Sequence, residues 1–104
     1  MLAVVRRVLF DERLGLRTRC VVVVLVASRL PEDELDGLIA LMASNFAAAC
    51  LARDQLDEFQ RGLLQIRRLI DRLESRSLPV AKRTVAEIEM KWGRGIPPPS
   101  WARG

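Results

Sequence analysis

Few side chains in this sequence have the type and spacing that catalysis needs. Histidine, the commonest general base and metal ligand, is absent from the 104 residues. Cys20 and Cys50 lie thirty residues apart within apolar runs, where a buried, inert thiol is more common than a disulfide or half of a metal site. The four acids in residues 32–36 are typical of a solvated helix start. The sequence therefore predicts no enzymatic activity, no catalytic residue, no cofactor and no metal site.

The segment with the strongest chemical character follows Pro79, which breaks any preceding helix. Residues 80–92 place apolar side chains at helical spacing, with basic side chains on or beside the opposite face. Such a helix either binds a polyanion or packs its apolar face and leaves its charges in water.

Residues 78–85, Leu-Pro-Val-Ala-Lys-Arg-Thr-Val, resemble the turn and the start of the recognition helix in helix-turn-helix DNA-binding proteins. The run Gly-Ile-Pro-Pro-Pro at 95–99 is similar to the glycine-then-proline exit of excisionase-like and phage-regulator members. Pro79 stands where the turn of that family usually has glycine. The resemblance implies DNA binding and transcription regulation. The contacts that it implies are Lys82, Arg83 and Thr84 with base edges, and Arg76, Lys91 and Arg94 with phosphates.

A long apolar seam, recurring in steps of three and four, occupies residues 35–73. Acids after Pro31 favour a helix start there, and the seam predicts either one long helix or a helical hairpin in which Asp54 caps a second helix at Gln55. Because such a seam needs a covering helix, we expect coiled-coil or bundle packing and a homo-oligomer, most simply a dimer. The predicted oligomer interface consists of Leu35, Leu38, Met42, Asn45, Leu56, Phe59, Leu63, Ile66, Ile70 and Leu73.

The N-terminal third is rich in valine, which fits a pleated surface. Residues 2–9 and 20–27 would form the strands of a β-hairpin, with a charged turn around Gly15 between them. A helix over residues 2–14 is an alternative, because apolar residues there also recur three and four apart.

The predicted fold is mainly α, with a short N-terminal β-hairpin and a short C-terminal helix. Four segments follow from this interpretation: a β-hairpin or extended arm in 1–29, a long helical oligomerisation segment in 30–77, a basic turn-helix in 78–95 and a proline-rich tail in 96–104.

Two uncharged apolar runs, 20–27 and 38–52, are shorter than the roughly 20 residues that span a bilayer. We therefore expect no membrane insertion and a cytoplasmic location.

Net charge is +4 in residues 1–29, −6 in 30–60 and +6 in 61–104. This distribution suits a polyanion partner or assembly between complementary charges. The leading hypothesis is a small oligomeric DNA-binding protein. The alternative is a structural or adaptor subunit that docks through its helices into a protein assembly.

Overall fold

In the computed structural model the chain is mainly helical, as expected, and the structure describes residues 2–11, 13–73 and 75–92. Five α-helices lie in this part of the chain, and a short 3-10 turn, Ala27–Arg29, follows the second of them. The helices are α1 (Leu2–Leu9), α2 (Leu16–Val26), α3 (Glu32–Ala52), α4 (Leu56–Arg72) and α5 (Pro79–Trp92).

The predicted N-terminal β-hairpin is wrong, since both of its expected strands are helices and the described residues contain no strand. The alternative of an N-terminal helix has the right type, but α1 ends at Leu9. Valine lowers helix propensity by less than about 1 kcal/mol per residue, so packing decides. Val5 and Leu9 on α1 and Leu16 and Val23 on α2 are buried at helical spacing.

Residues 35–73 form two helices rather than one rod. The N–H of Gln55 donates to Cys50 O at 2.9 Å and that of Asp54 to Leu51 O at 3.2 Å, the hydrogen-bond pattern of a Schellman motif. Asp54 has a φ of 55° and occupies the left-handed position that usually takes glycine. Asp54 therefore ends α3, and the expectation that it caps the second helix is wrong. The N-cap residue of α4 is Gln55, which makes no side-chain cap hydrogen bond.

The helices α3 and α4 form an antiparallel hairpin, and α5 lies alongside α3 in the parallel direction. Asp36, near the start of α3, accepts hydrogen bonds from backbone N–H groups at the start of α5. Leu51, near the end of α3, lines a groove together with Trp92 at the end of α5. The apolar core runs through all five helices. The covering partner that the seam requires is therefore supplied within the chain.

The start of α5 is held by the carboxylate of Asp36, which is buried although it belongs to the acidic cluster expected to be solvated. Its Oδ2 accepts from Val80 N–H at 3.0 Å and its Oδ1 from Ala81 N–H at 2.6 Å. These are N–H groups that the first turn of α5 cannot bond internally. Just before this helix, Leu78 is fully buried with a φ of 44°, a strained conformation for a bulky residue.

Replacing Asp36 with alanine should lower the free energy of unfolding by about 2 kcal/mol, because two buried N–H groups lose charge-assisted hydrogen bonds. Urea denaturation followed by circular dichroism measures the change. The control is Asp33→Ala, since Asp33 is an exposed acid on the first turn of the same helix. An equal loss in the two variants would contradict the capping role.

Gly62 of α4 lies against α3 and α2, so a side chain there has no room. An added Cβ would overlap the ring of Phe46 and lie 2.9 Å from Leu16 Cδ2. An added Cβ on Gly37 of α3 would meet no atom within 4 Å.

We expect Gly62→Ala to lower the free energy of unfolding by about 1–3 kcal/mol through overpacking. Gly37→Ala should raise it by up to about 1 kcal/mol through helix propensity. Thermal unfolding measures both changes. A lower melting temperature for Gly62→Ala and a higher one for Gly37→Ala would support this packing.

Candidate functional site

The three residues predicted to contact DNA bases lie on different sides of α5. Successive helical positions are separated by about 100°. Thr84 lines a groove against α3, Arg83 is exposed and Lys82 is half-buried. Lys82 lies two turns before Glu89, whose Oε1 is 3.4 Å from Arg67 Nε on α4. Arg83 is therefore the one of the three that is fully presented to solvent.

The predicted phosphate contacts are also dispersed. The Arg76 guanidinium donates to Ala27 O at 3.1 Å and so joins the end of α2 to the segment before α5. Lys91 is exposed beside the α3–α5 groove. Arg94 and the tail 96–104 lie outside the described residues. DNA binding through this segment stays a prediction.

The predicted oligomer interface lies mostly inside one chain. Asn45 and Leu56 are exposed. The other eight positions are buried in the core of the bundle: Leu35, Leu38, Met42, Phe59, Leu63, Ile66, Ile70 and Leu73. An interface between copies that used these eight side chains would require the bundle to open. Oligomerisation itself stays a prediction.

The ion pair between α4 and α5 is nearly buried. The side chain of Glu89 is 7% exposed and that of Arg67 15%. Burial raises the pKa of Glu89 above its ordinary value, and the nearby Arg67 partly offsets this. Because Glu89 Oε1 has no hydrogen-bond partner, the contact with Arg67 is an electrostatic one. It joins α5 to α4.

A groove of about 710 Å³ lies between α2 and α4, and we call it the α2–α4 groove. Its apolar lining comes from Cys20, Val21 and Val24 on α2 and from Leu69 on α4. The remaining lining residues are polar or charged: Arg17, Gln65, Arg68, Asp71 and Arg72. Three arginines against one aspartate make the groove electropositive.

The thiol of Cys20 in this groove is not activated. Desolvation raises its pKa to about 11, although the charge of Arg19 acts in the opposite direction. The pKa of Cys50 is also raised, mainly by burial and then by Glu58. Both thiols are free and stay protonated near neutral pH, so neither is prepared as a nucleophile or metal ligand. Within the described residues, no cluster of three or more His, Cys, Asp or Glu side chains could hold a metal ion.

The sequence interpretation missed this groove because it placed residues 20–27 in a buried strand. The signal that could have revealed it is the spacing of Arg68 and Arg72 on α4, one helical turn apart. The positions of Cys20 and Val24, also one turn apart, show the matching pattern on α2.

One described helix, α3, is long and apolar enough to cross a membrane by length and composition, with a mean hydropathy of 1.6 over its best window. In the folded chain 56% of that window is buried. The core helix of a bundle has these same properties, so this observation is weak evidence for insertion.

Comparison with known proteins found no matching family model, no matching curated protein and no matching solved structure.

Proposed function

We propose that this chain is a small helical docking module, an adaptor or structural subunit, whose partner protein covers the outer face of α2. The observation that carries the proposal is the composition of α2, whose last seven residues are Cys, Val and Leu only. A helix that is apolar on all sides is normally covered on all sides. In this chain Val21 is 48% exposed and Leu25 71% exposed.

The exposed residues of α2 lie on one stripe. Val21 and Leu25 are one turn apart on the same helix face, and Val21 lines the α2–α4 groove. Val4 on α1 adds a further exposed valine, at 66%. Apolar surface that is contiguous and rimmed by charge is typical of protein–protein contact sites. Covering the exposed part of these side chains removes apolar area from water, which favours a complex.

The lining of the groove favours a protein partner over a nucleic acid. Single-stranded nucleic acids are bound on aromatic platforms, where the bases stack, and no aromatic residue lines the α2–α4 groove. Its floor consists of a thiol and branched aliphatic side chains, which match the apolar face of a protein helix.

The double substitution Val21→Glu with Leu25→Glu tests the outer face of α2. Without its partner, the native protein should self-associate reversibly at high concentration, and the variant should stay monomeric in light scattering. Both positions are exposed, so the free energy of unfolding should change by no more than about 0.5 kcal/mol per substitution.

Two matched variants control this experiment. Leu56→Glu alters an exposed leucine at the start of α4 and should leave self-association unchanged. Val23→Glu places a charge in the core, where Val23 is buried, and should unfold the chain. A native protein that remains monomeric up to its solubility limit would argue against the docking face.

Nucleic-acid binding is the second candidate function, and one observation favours it. Arg83 is exposed near the start of α5, with Lys82 half-buried beside it, and DNA-binding helices contact their targets through residues near the helix start. Removing both charges should abolish retention of duplex DNA and leave oligomer size unchanged.

Fluorescence anisotropy with a random-sequence duplex across a salt series measures this binding. If the site contacts phosphates, log affinity should fall linearly with log salt concentration, with a slope of about −0.9 per phosphate neutralised. Arg61→Ala, at an exposed position on α4, is the control. If the double variant Lys82→Ala with Arg83→Ala still binds duplex DNA, this site is excluded. If the native protein binds no duplex DNA at moderate salt, the result agrees with the adaptor function.

A further inference from the structure

We propose that the α2–α4 groove binds a short, acidic, amphipathic helix of the partner protein. This inference rests on the proposed docking function and identifies the chemistry of the segment that docks. It depends on three observations: the length of the groove, its apolar floor and the positions of its arginines.

The groove has the length of about two helical turns. Its lining residues extend from Arg17 to Val24 on α2 and from Gln65 to Arg72 on α4, which is about 10 Å along each helix at 1.5 Å per residue. A groove between two helices is a natural seat for a third. A partner helix would place apolar side chains at positions i, i+3 or i+4, and i+7 against the floor.

The arginines of the groove determine the charge of this partner. Arg68 and Arg72 project from the same face of α4, one turn apart, and Arg17 lies across the groove on α2. The described residues provide none of the three with an ion-pair partner. Asp71, the groove's one acid, already has an interaction within the chain. Glutamate or aspartate residues one turn apart on the partner would therefore match Arg68 and Arg72.

A second copy of this chain matches the groove poorly. The exposed acids at the start of α3 precede apolar residues that are buried in the core. Exposed apolar residues and exposed acids occur close together at two places in the described residues. Leu56–Glu58 is less than one helical turn long. At the end of α5, Met90 and Trp92 are exposed beside a single exposed acid, Glu87, because Glu89 pairs with Arg67. The complementary segment is therefore expected on a different protein.

The experiment is a selection of helical peptides, 14 residues long, displayed as a random library against the full-length chain. We expect the recovered peptides to carry apolar residues at helical spacing and acidic residues at i and i+4. A synthetic copy of the leading peptide should bind the native protein saturably in fluorescence anisotropy. Its affinity should fall at least about tenfold in the variant Arg68→Glu with Arg72→Glu.

Matched variants separate this inference from the proposed function. Arg61→Glu reverses a charge on α4 outside the groove and should leave the affinity unchanged. Loss of binding in both the Arg68/Arg72 variant and the Val21→Glu, Leu25→Glu variant supports both proposals. If only the Val21→Glu, Leu25→Glu variant loses peptide binding, the acidic-helix inference is overturned and the proposed docking face still stands.

Three further outcomes would overturn the inference. They are recovery of neutral or basic peptides, recovery of no peptide, and dimerisation of the chain itself that disappears on charge reversal at Arg68 and Arg72. Circular dichroism and urea denaturation of each variant establish that it is folded. Because Arg68 and Arg72 are exposed, their replacement should not unfold the bundle.

Discussion

The position of α5 in this bundle depends on one buried carboxylate. Asp36 on α3 accepts two backbone N–H groups at the start of α5, while Leu78 just before that helix is buried in a strained conformation. A buried charge is tolerated only where hydrogen bonds replace its water, and a strained backbone persists only where its surroundings enforce it. The capping contact and the burial of Leu78 thus hold the same junction together. They align α5 with α3, close the core over the seam and determine which side of α5 faces solvent.

Internal burial of the seam changes where this protein can meet other molecules. The eight seam side chains that are buried within the chain could serve a zipper between copies only if the bundle opened. Exposed apolar side chains remain on the outside of the bundle, and on α2 they are Val21 and Leu25. The helix α2 packs against α4 and α1 through its buried residues Leu16, Arg19 and Val23, whereas Val21 and Leu25 stay exposed. The outer face is therefore both apolar and accessible, and this combination favours a docking role.

Charge and apolar surface come together in the α2–α4 groove. The sequence shows excess arginine in residues 1–29 and 61–104, separated by an acidic segment. Folding brings arginines from both basic segments to one groove. Two acids at the start of α3 instead lie at the start of α5. Glu32 Oε1 accepts a hydrogen bond from Ser77 N–H at 2.8 Å, and Asp36 accepts two from the first turn of α5. The arginine-rich groove and the acids around the α5 cap are thus two separate features of the folded chain. Electrostatic complementarity at this groove is the basis for the proposed acidic partner.

Periodicity and proline act locally, so the sequence alone predicted several features correctly. The periodic apolar pattern indicated the helical class and the seam. Pro31 and Pro79 indicated the starts of two separate helices. The sequence did not determine the conformation of residues 2–26, since a valine-rich run satisfies both strand and helix patterns and only packing of Val5, Leu9 and Val23 decides between them. Tertiary structure alone placed Asp36 beneath α5, turned the seam inward and assembled the groove from Arg17, Arg68 and Arg72. The physical reason is that these features join residues far apart in sequence, and their energies exist only once the chain has folded.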